Sequence, residues 1–168
     1  ARIMARAMPP LPGFDDVFVE FLLLYTPVHD IGKIAIPEII LFKPAALTPH
    51  ELEAVRTHVT LGLDIVDGVL RELAVDDIPH VDMLRNIVRH HHELLDGSGY
   101  PDGLSGDRIP LEARIVCVAD VFDALRSLRT YKEPWSVERV VQYLQQGSGS
   151  KYDPACVDAL LSSLSSIT

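Results

Sequence analysis

No two cysteines in this 168-residue chain are spaced as a CxxC pair, and it has only two, Cys117 and Cys156. That excludes a zinc ribbon and a disulfide scaffold, and both thiols read as buried, reduced residues of a cytosolic protein. No apolar run reaches membrane-spanning length. The longest candidate, Val17 to Val28, is interrupted by Glu20 and Pro27 and reads as a core helix. Basic residues are in deficit, 15 Lys and Arg against 24 Asp and Glu, for a net charge of −9. This balance argues against a nucleic-acid groove or an anionic membrane as the main partner. It leaves room for a small phosphorylated ligand, because bound metal ions reverse the local field. The chain also lacks an initiator methionine, a signal-peptide pattern, an internal repeat, a low-complexity tract and any convincing strand alternation.

What the chain does have is helix signals around a core, with 48% of its residues hydrophobic, and its length fits one domain. Thr48-Pro49-His50-Glu51 predicts a capping box, with Pro at the first helical position. Leu52, Val55, Val59, Leu63 and Val66 then follow at helical spacing, as one continuous run. A second helix is expected from Val81 to Leu94. A third, Leu111 to Leu128, is apolar almost all round and so belongs at the centre. Ser136 and Asp153-Pro154 open the last two. Two long loops, Ile34 to Ala46 and Asp96 to Pro110, interrupt the pattern, and the second carries four glycines and two prolines. The expected architecture is an all-α bundle.

Imidazoles and carboxylates converging from separate elements can hold metal ions for phosphate chemistry, with one carboxylate placed to bridge two ions. His58, beside Val55 and Val59, reads on its own as a satisfied core histidine before a ligand. His91 and His92, about 100° apart on a helix, read as ligands or as an exposed polar step. Asp120 in an apolar helix demands a cationic partner, a metal or an arginine. His29-Asp30 is followed by Ile31-Gly32-Lys33, in which the glycine permits a close backbone turn and the lysine offers a cation to phosphate.

The series HDIGKIAIPE (His29 to Glu38), KPAALTPHE (Lys43 to Glu51), Arg56 to His58, HHELLDGSGYPDGL (His91 to Leu104), IPLEARIVCVADVFDAL (Ile109 to Leu125) and GSGSKYDP (Gly147 to Pro154) resembles the HD-GYP domain family, in order and spacing, from about residue 28 to the end. The resemblance implies an HD-superfamily helical bundle with a dinuclear or trinuclear metal site, commonly iron or manganese, with nickel or zinc as other ions that suit the ligands. It implies a cytoplasmic bacterial phosphodiesterase that hydrolyses cyclic di-GMP to pGpG, with GMP from a second cleavage. The matching metal ligands are His29, Asp30, His58, His91, His92 and Asp120, with Asp30 as the bridge. Lys33 matches the lysine on the scissile phosphate. Gly99, Tyr100 and Pro101 match the loop that names the family, and Arg129 and Lys132 match basic substrate contacts.

Two departures accompany the match. No histidine precedes His29, whereas the family carries a Glu and a His upstream of the pair. Ser127 to Lys132 replaces a stretch in which the family more often has Asp before the Arg and Pro after it. His90 extends the histidine pair and is read as a non-ligand. The expectation is therefore an HD-GYP domain over residues 1–168 that lacks its first helix and, in the native protein, follows a regulatory domain. Two other readings stand beside the enzyme. One is a cyclic-dinucleotide sensor that docks through the Gly99–Pro101 loop onto cyclic di-GMP synthase (GGDEF) domains, and the other is a phosphohydrolase for a related nucleotide. A homodimer is a further expected assembly.

Overall fold

Asp15 opens the first helix by accepting the Phe18 N–H at 2.8 Å, and the helix (α1, Asp16–Tyr25) buries Leu22 and Tyr25. The computed structural model describes residues 15–73, 78–128 and 133–164. Pro27 ends the regular helix, so the expected Val17–Val28 core helix gives way to a 3₁₀ turn, Thr26–Val28, which delivers His29 and Asp30. A second 3₁₀ segment, Ile31–Ala35, and a short helix (α2, Glu38–Leu41) occupy much of the expected Ile34–Ala46 loop.

The capping box forms as read. Thr48 Oγ1 accepts the Glu51 N–H, and Glu51 accepts from the Thr48 N–H at 2.7 Å. The run that follows is two helices rather than one: α3 (Pro49–Arg56) and α4 (His58–Glu72), separated at Thr57. The break falls where the chemistry starts, since His58 is the first residue of α4. The helix predicted to reach Leu94 ends four residues early, as α5 (Val81–His90), and His91 is its C-cap. There the backbone turns, with the Glu93 N–H donating to the His90 carbonyl at 3.0 Å.

The central helix, α6 (Leu111–Arg126), buries Ala113 and the run Ile115 to Val118. Its buried Glu112 accepts from the Asn86 amide on α5 at 2.7 Å. α7 (Val137–Gly147) and α8 (Pro154–Ser163) close the bundle with Val140, Leu144, Cys156, Val157 and Leu160 in the same core. Ser136 and Asp153 cap them as expected. There are no strands among the described residues beyond one isolated bridge, Ser148 to Tyr152, so the fold is all-α. Both cysteines are buried and unpaired, and burial pushes the Cys117 thiol up to about 12. No described helix is long and apolar enough to cross a membrane.

Candidate metal centre

Three histidines share one local construction. Each ring uses Nδ1 to reach a main-chain carbonyl: His29 to Thr26 at 2.8 Å, His58 to Val55 at 2.8 Å, and His91 to Ile87 at 2.9 Å. A carbonyl oxygen only accepts, so Nδ1 carries the proton in all three. The Nε2 atoms are then turned toward a common point. This is how metal-ligating imidazoles are oriented, with the far nitrogen tied down and the near one free.

That common point is Asp30. Its Oδ1 lies 3.3 Å from His58 Nε2 and 3.8 Å from His91 Nε2, and its Oδ2 lies 3.3 Å from His29 Nε2. His29 Nε2 also lies 3.7 Å from Asp120 Oδ1, which brings in a carboxylate from α6. His92 completes the group, its ring 4.1 Å from that of His91 and 5.2 Å from that of His58. Ligand atoms of Asp30, His58, His91 and His92 all lie within 4.8 Å of one another. The two histidines do not sit 100° apart on a helix as the sequence suggests. They follow the end of α5, where the turn lets both rings point inward.

The donor set fits a divalent cation on two further grounds. His58 Nε2 and His91 Nε2 are 3.5 Å apart, and both present lone pairs, since each proton is on Nδ1. His29 Nε2 and Asp30 Oδ1 are buried with no hydrogen-bond partner. Buried polar atoms are normally satisfied, and here a cation would satisfy several at once. Imidazole and carboxylate together suit first-row divalent metals.

The electrostatics run the same way. Burial raises the Asp30 carboxyl, but His29 and Lys33 beside it outweigh that and hold the group well below the usual carboxylate range. Burial lowers His29, and the Asp120 and Asp30 carboxylates overcome that to raise it to about 10. Burial and the neighbouring rings push His91 down to about 3, and burial pushes His92 down to about 4. Both imidazoles therefore stay neutral, as ligands must. Lys33 Nζ donates to Asp30 Oδ2 at 2.5 Å.

The Gly99–Pro101 loop lies directly beside this group. Tyr100 stacks on His92 with ring centroids 4.8 Å apart, and its N–H donates to the His92 carbonyl at 3.2 Å. Gly99 is pressed so closely on the His92–Leu94 backbone that a Cβ would overlap the Leu94 nitrogen. The loop is held by a residue that the sequence reading did not single out. Buried Glu93 accepts the Asp102 N–H at 2.8 Å and the Leu104 N–H at 3.0 Å. Arg89 grips the Asp102 carboxylate with two bonds of 2.8 Å. A signal was available: a lone carboxylate follows the histidine pair and precedes a glycine-rich loop. The GSGSKYDP segment braces the other side, with the Lys151 carbonyl accepting the Leu95 N–H at 3.0 Å.

His90 turns away from Asp30. Its Nδ1 lies 3.6 Å from Asp102 and 3.9 Å from Glu93, at the loop anchor. Arg129 and Lys132 lie outside the described residues, as does Arg2-Ile3.

The profile of the HD domain family matches residues 22–156. The chain is 45% identical over 149 residues to the cyclic di-GMP phosphodiesterase response regulator RpfG of Xanthomonas campestris pv. campestris, which covers 89% of this chain and 38% of that protein. It is 42% identical over 149 residues to a cyclic di-GMP phosphodiesterase of Thermotoga maritima (89% of this chain, 39% of that one). It is also 41% identical over 151 residues to 3'3'-cGAMP-specific phosphodiesterase 2 of Vibrio cholerae (90% and 28%). The chain thus spans about two fifths or less of the length of these relatives. The crystal structure of a cyclic GMP-AMP-specific phosphodiesterase of V. cholerae superposes with a TM-score of 0.57 over 98% of this chain and 42% of that one, at 21% identity, a likeness of fold.

Proposed function

This chain belongs to the HD domain family, with the motif order of its HD-GYP branch, and from that premise we propose that it is a metal-dependent phosphodiesterase acting on cyclic di-GMP. The observation that carries the reading is the set of three imidazoles locked at Nδ1 with Nε2 directed at Asp30. His29, Asp30, His58, His91, His92 and Asp120 would hold the ions, two or three in number, iron or manganese before nickel or zinc. Divalent ions bound there supply Lewis acidity and lower the pKa of a water molecule toward neutrality.

The chain's own residues account for the rest. Asp30, kept ionised by its neighbours, has Oδ1 toward His58 and His91 and Oδ2 toward His29, and would be the bridging carboxylate. Lys33, half-buried and already beside Asp30, turns its ammonium to the non-bridging oxygens of the scissile phosphate as charge grows there. Tyr100, stacked on His92, walls the site against water, and the Gly99–Pro101 backbone lines the approach. Arg129 and Lys132 would add positive charge for the second phosphate. The product is linear pGpG, then GMP if the linear form is cleaved again. The same reading makes the chain one cytoplasmic module of a longer bacterial signalling protein, with GGDEF domains and a second copy of itself as candidate partners.

A cyclic dinucleotide with one adenine is the second substrate to consider, because a relative named for 3'3'-cGAMP matches at 41% identity. Metal analysis and product formation test both. Chain loaded with Fe(II) or Mn(II) is expected to convert cyclic di-GMP to pGpG, to lose turnover on chelation and to regain it on metal return. Asp30→Ala is expected to lose bound metal and turnover together. Turnover that persists in metal-free Asp30→Ala would overturn the mechanism. Binding of cyclic di-GMP without product would favour the sensor, and faster cleavage of 3'3'-cGAMP would reassign the substrate.

A further inference from the structure

Beside Tyr100, on the side of α3, lies a second concavity that holds none of the metal ligands. It has a volume of about 220 Å³ and is lined by Glu53, Arg56, Thr57, Thr60, Tyr100 and Pro101. That volume falls below the range that encloses a whole drug-sized ligand, and suits one ring system of a larger molecule. The Arg56 guanidinium sits over the Tyr100 ring, 5.1 Å from its centroid, and donates to Glu53 Oε1 at 2.6 Å. The pair is solvent-facing, with Glu53 67% and Arg56 43% exposed. An ion pair this exposed contributes little to stability, so it opens at small cost when a ligand offers better partners.

We propose that this concavity is a guanine subsite in which Glu53 and Arg56 set base specificity. The inference rests on the reading of the chain as a cyclic-dinucleotide phosphodiesterase. Tyr100 links the two sites, since its ring lies 4.8 Å from that of His92 in the metal centre and also walls the concavity. A nucleotide whose phosphate reaches the metal centre therefore has its base within reach of α3. His92 stacks on Tyr100 and the Arg56 guanidinium covers the ring in the concavity, so Arg56 swings from the ring to the base edge as the base takes its place, and the stacking itself is tolerant of base identity. Discrimination must come from the polar edge. Guanine presents two N–H donors on its Watson–Crick edge, N1–H and the N2 amino group, and acceptors at O6 and N7. A carboxylate accepts from both donors, and a guanidinium donates to O6 and N7. Glu53 and Arg56 are that complementary couple. Adenine offers no N1–H and no O6, so it would leave the Glu53 carboxylate facing an acceptor.

Equilibrium titration of the metal-loaded chain with GMP and with AMP tests the subsite without a phosphodiester bond to cleave. GMP is expected to bind at least tenfold more tightly than AMP. Glu53→Ala is expected to reduce that preference to less than threefold, Glu53→Gln to fall between, and Arg56→Ala to weaken GMP at least fivefold. Both positions are solvent-facing on α3, so the variants fold. A GMP preference that survives Glu53→Ala and Arg56→Ala intact, or a parent chain with no preference, overturns the subsite. Turnover of cyclic di-GMP is scored separately. A parent chain that prefers GMP but cleaves no cyclic dinucleotide sinks the enzyme reading and leaves the subsite standing.

Discussion

Gly32 and His58 meet backbone to backbone: a side-chain carbon at Gly32 would overlap the His58 carbonyl oxygen and stand 2.5 Å from the Gly62 nitrogen. The contact fixes the candidate metal centre. It seats the 3₁₀ segment after Asp30 directly on the first turn of α4, so that Asp30 Oδ1 comes within 3.3 Å of His58 Nε2. Gly62 completes the fit from the helix side, where a Cβ would lie 3.2 Å from the Gly32 nitrogen.

Gly32→Ala is therefore expected to push the segment away from α4. Overpacking of this kind costs ~1–3 kcal/mol, which lowers Tm by roughly 2–4 °C per kcal/mol in a chain of this size. Metal content should fall with it, because the shift separates Asp30 from His58. A variant with parental Tm and full metal loading would show that the contact is not what places Asp30.

The glycine was legible in the sequence, but the reason read there was a backbone turn. What the structure shows is close approach between elements distant in sequence, which no local pattern reports. The helix breaks have the same origin. Apolar spacing from Leu52 to Val66 is continuous, and the break at Thr57 interrupts it without disturbing the period. The end of α5 at His90 was hidden for a related cause, since the His92 carbonyl beyond it accepts the Tyr100 N–H from the distant loop. Caps, the central helix and the converging motifs were readable because each depends on residues near one another in the chain. Glu93 left one sign, a carboxylate ahead of a glycine-rich loop, but its partners, the Asp102 and Leu104 amides, carry no side-chain signature that would name them.

Lys33 stands where it must choose between two anions. Its ammonium donates to Asp30 Oδ2. Once cations hold Asp30, the same group becomes free for a phosphate oxygen. Lys33→Met should consequently keep its metal and lose turnover, by about 10²–10³ in kcat if it acts like one preorganised donor to a developing negative charge. Elemental analysis beside steady-state kinetics separates the two effects. A kcat within threefold of the parent would remove Lys33 from the chemistry.

Acid should unfold the metal-free chain through its neutral histidines. His91 and His92 are held at about 3 and about 4 in the folded state, against an ordinary value near 6.5. Between those limits the unfolded chain binds more protons than the folded one, so stability falls as pH falls from about 6.5 toward 4, by up to about 1.4 kcal/mol per pH unit for each group. His29 moves the other way: raised to about 10, it is protonated in both states below about pH 5.5 and adds no slope there. Its own contribution is full well below about 6.5 and is lost as pH rises from there toward 10, so it opposes the slope between pH 7 and 6 and leaves the fall from 6 to 5 to His91 and His92. Denaturant titrations at pH 7, 6 and 5 measure the slope, and equal stability at all three would contradict the assignment of neutral, buried imidazoles.

The loop that carries Tyr100 hangs on Glu93, and its loosening should separate binding from chemistry. Glu93→Gln keeps one acceptor and turns an amide NH₂ toward a backbone N–H, Asp102 or Leu104, that then has no partner. A buried unsatisfied donor costs about 1–3 kcal/mol. The loss is local, because Arg89 still holds Asp102 and the Gly99 contact with the His92–Leu94 backbone remains. Amide exchange at Asp102 and Leu104 should therefore quicken while the core helices stay protected. The metal ligands keep their own anchors, so metal content should hold and the KM for cyclic di-GMP should rise several-fold more than kcat falls. If exchange at the two amides is unchanged, or if metal is lost in step with activity, Glu93 serves the metal centre or the core and not the loop.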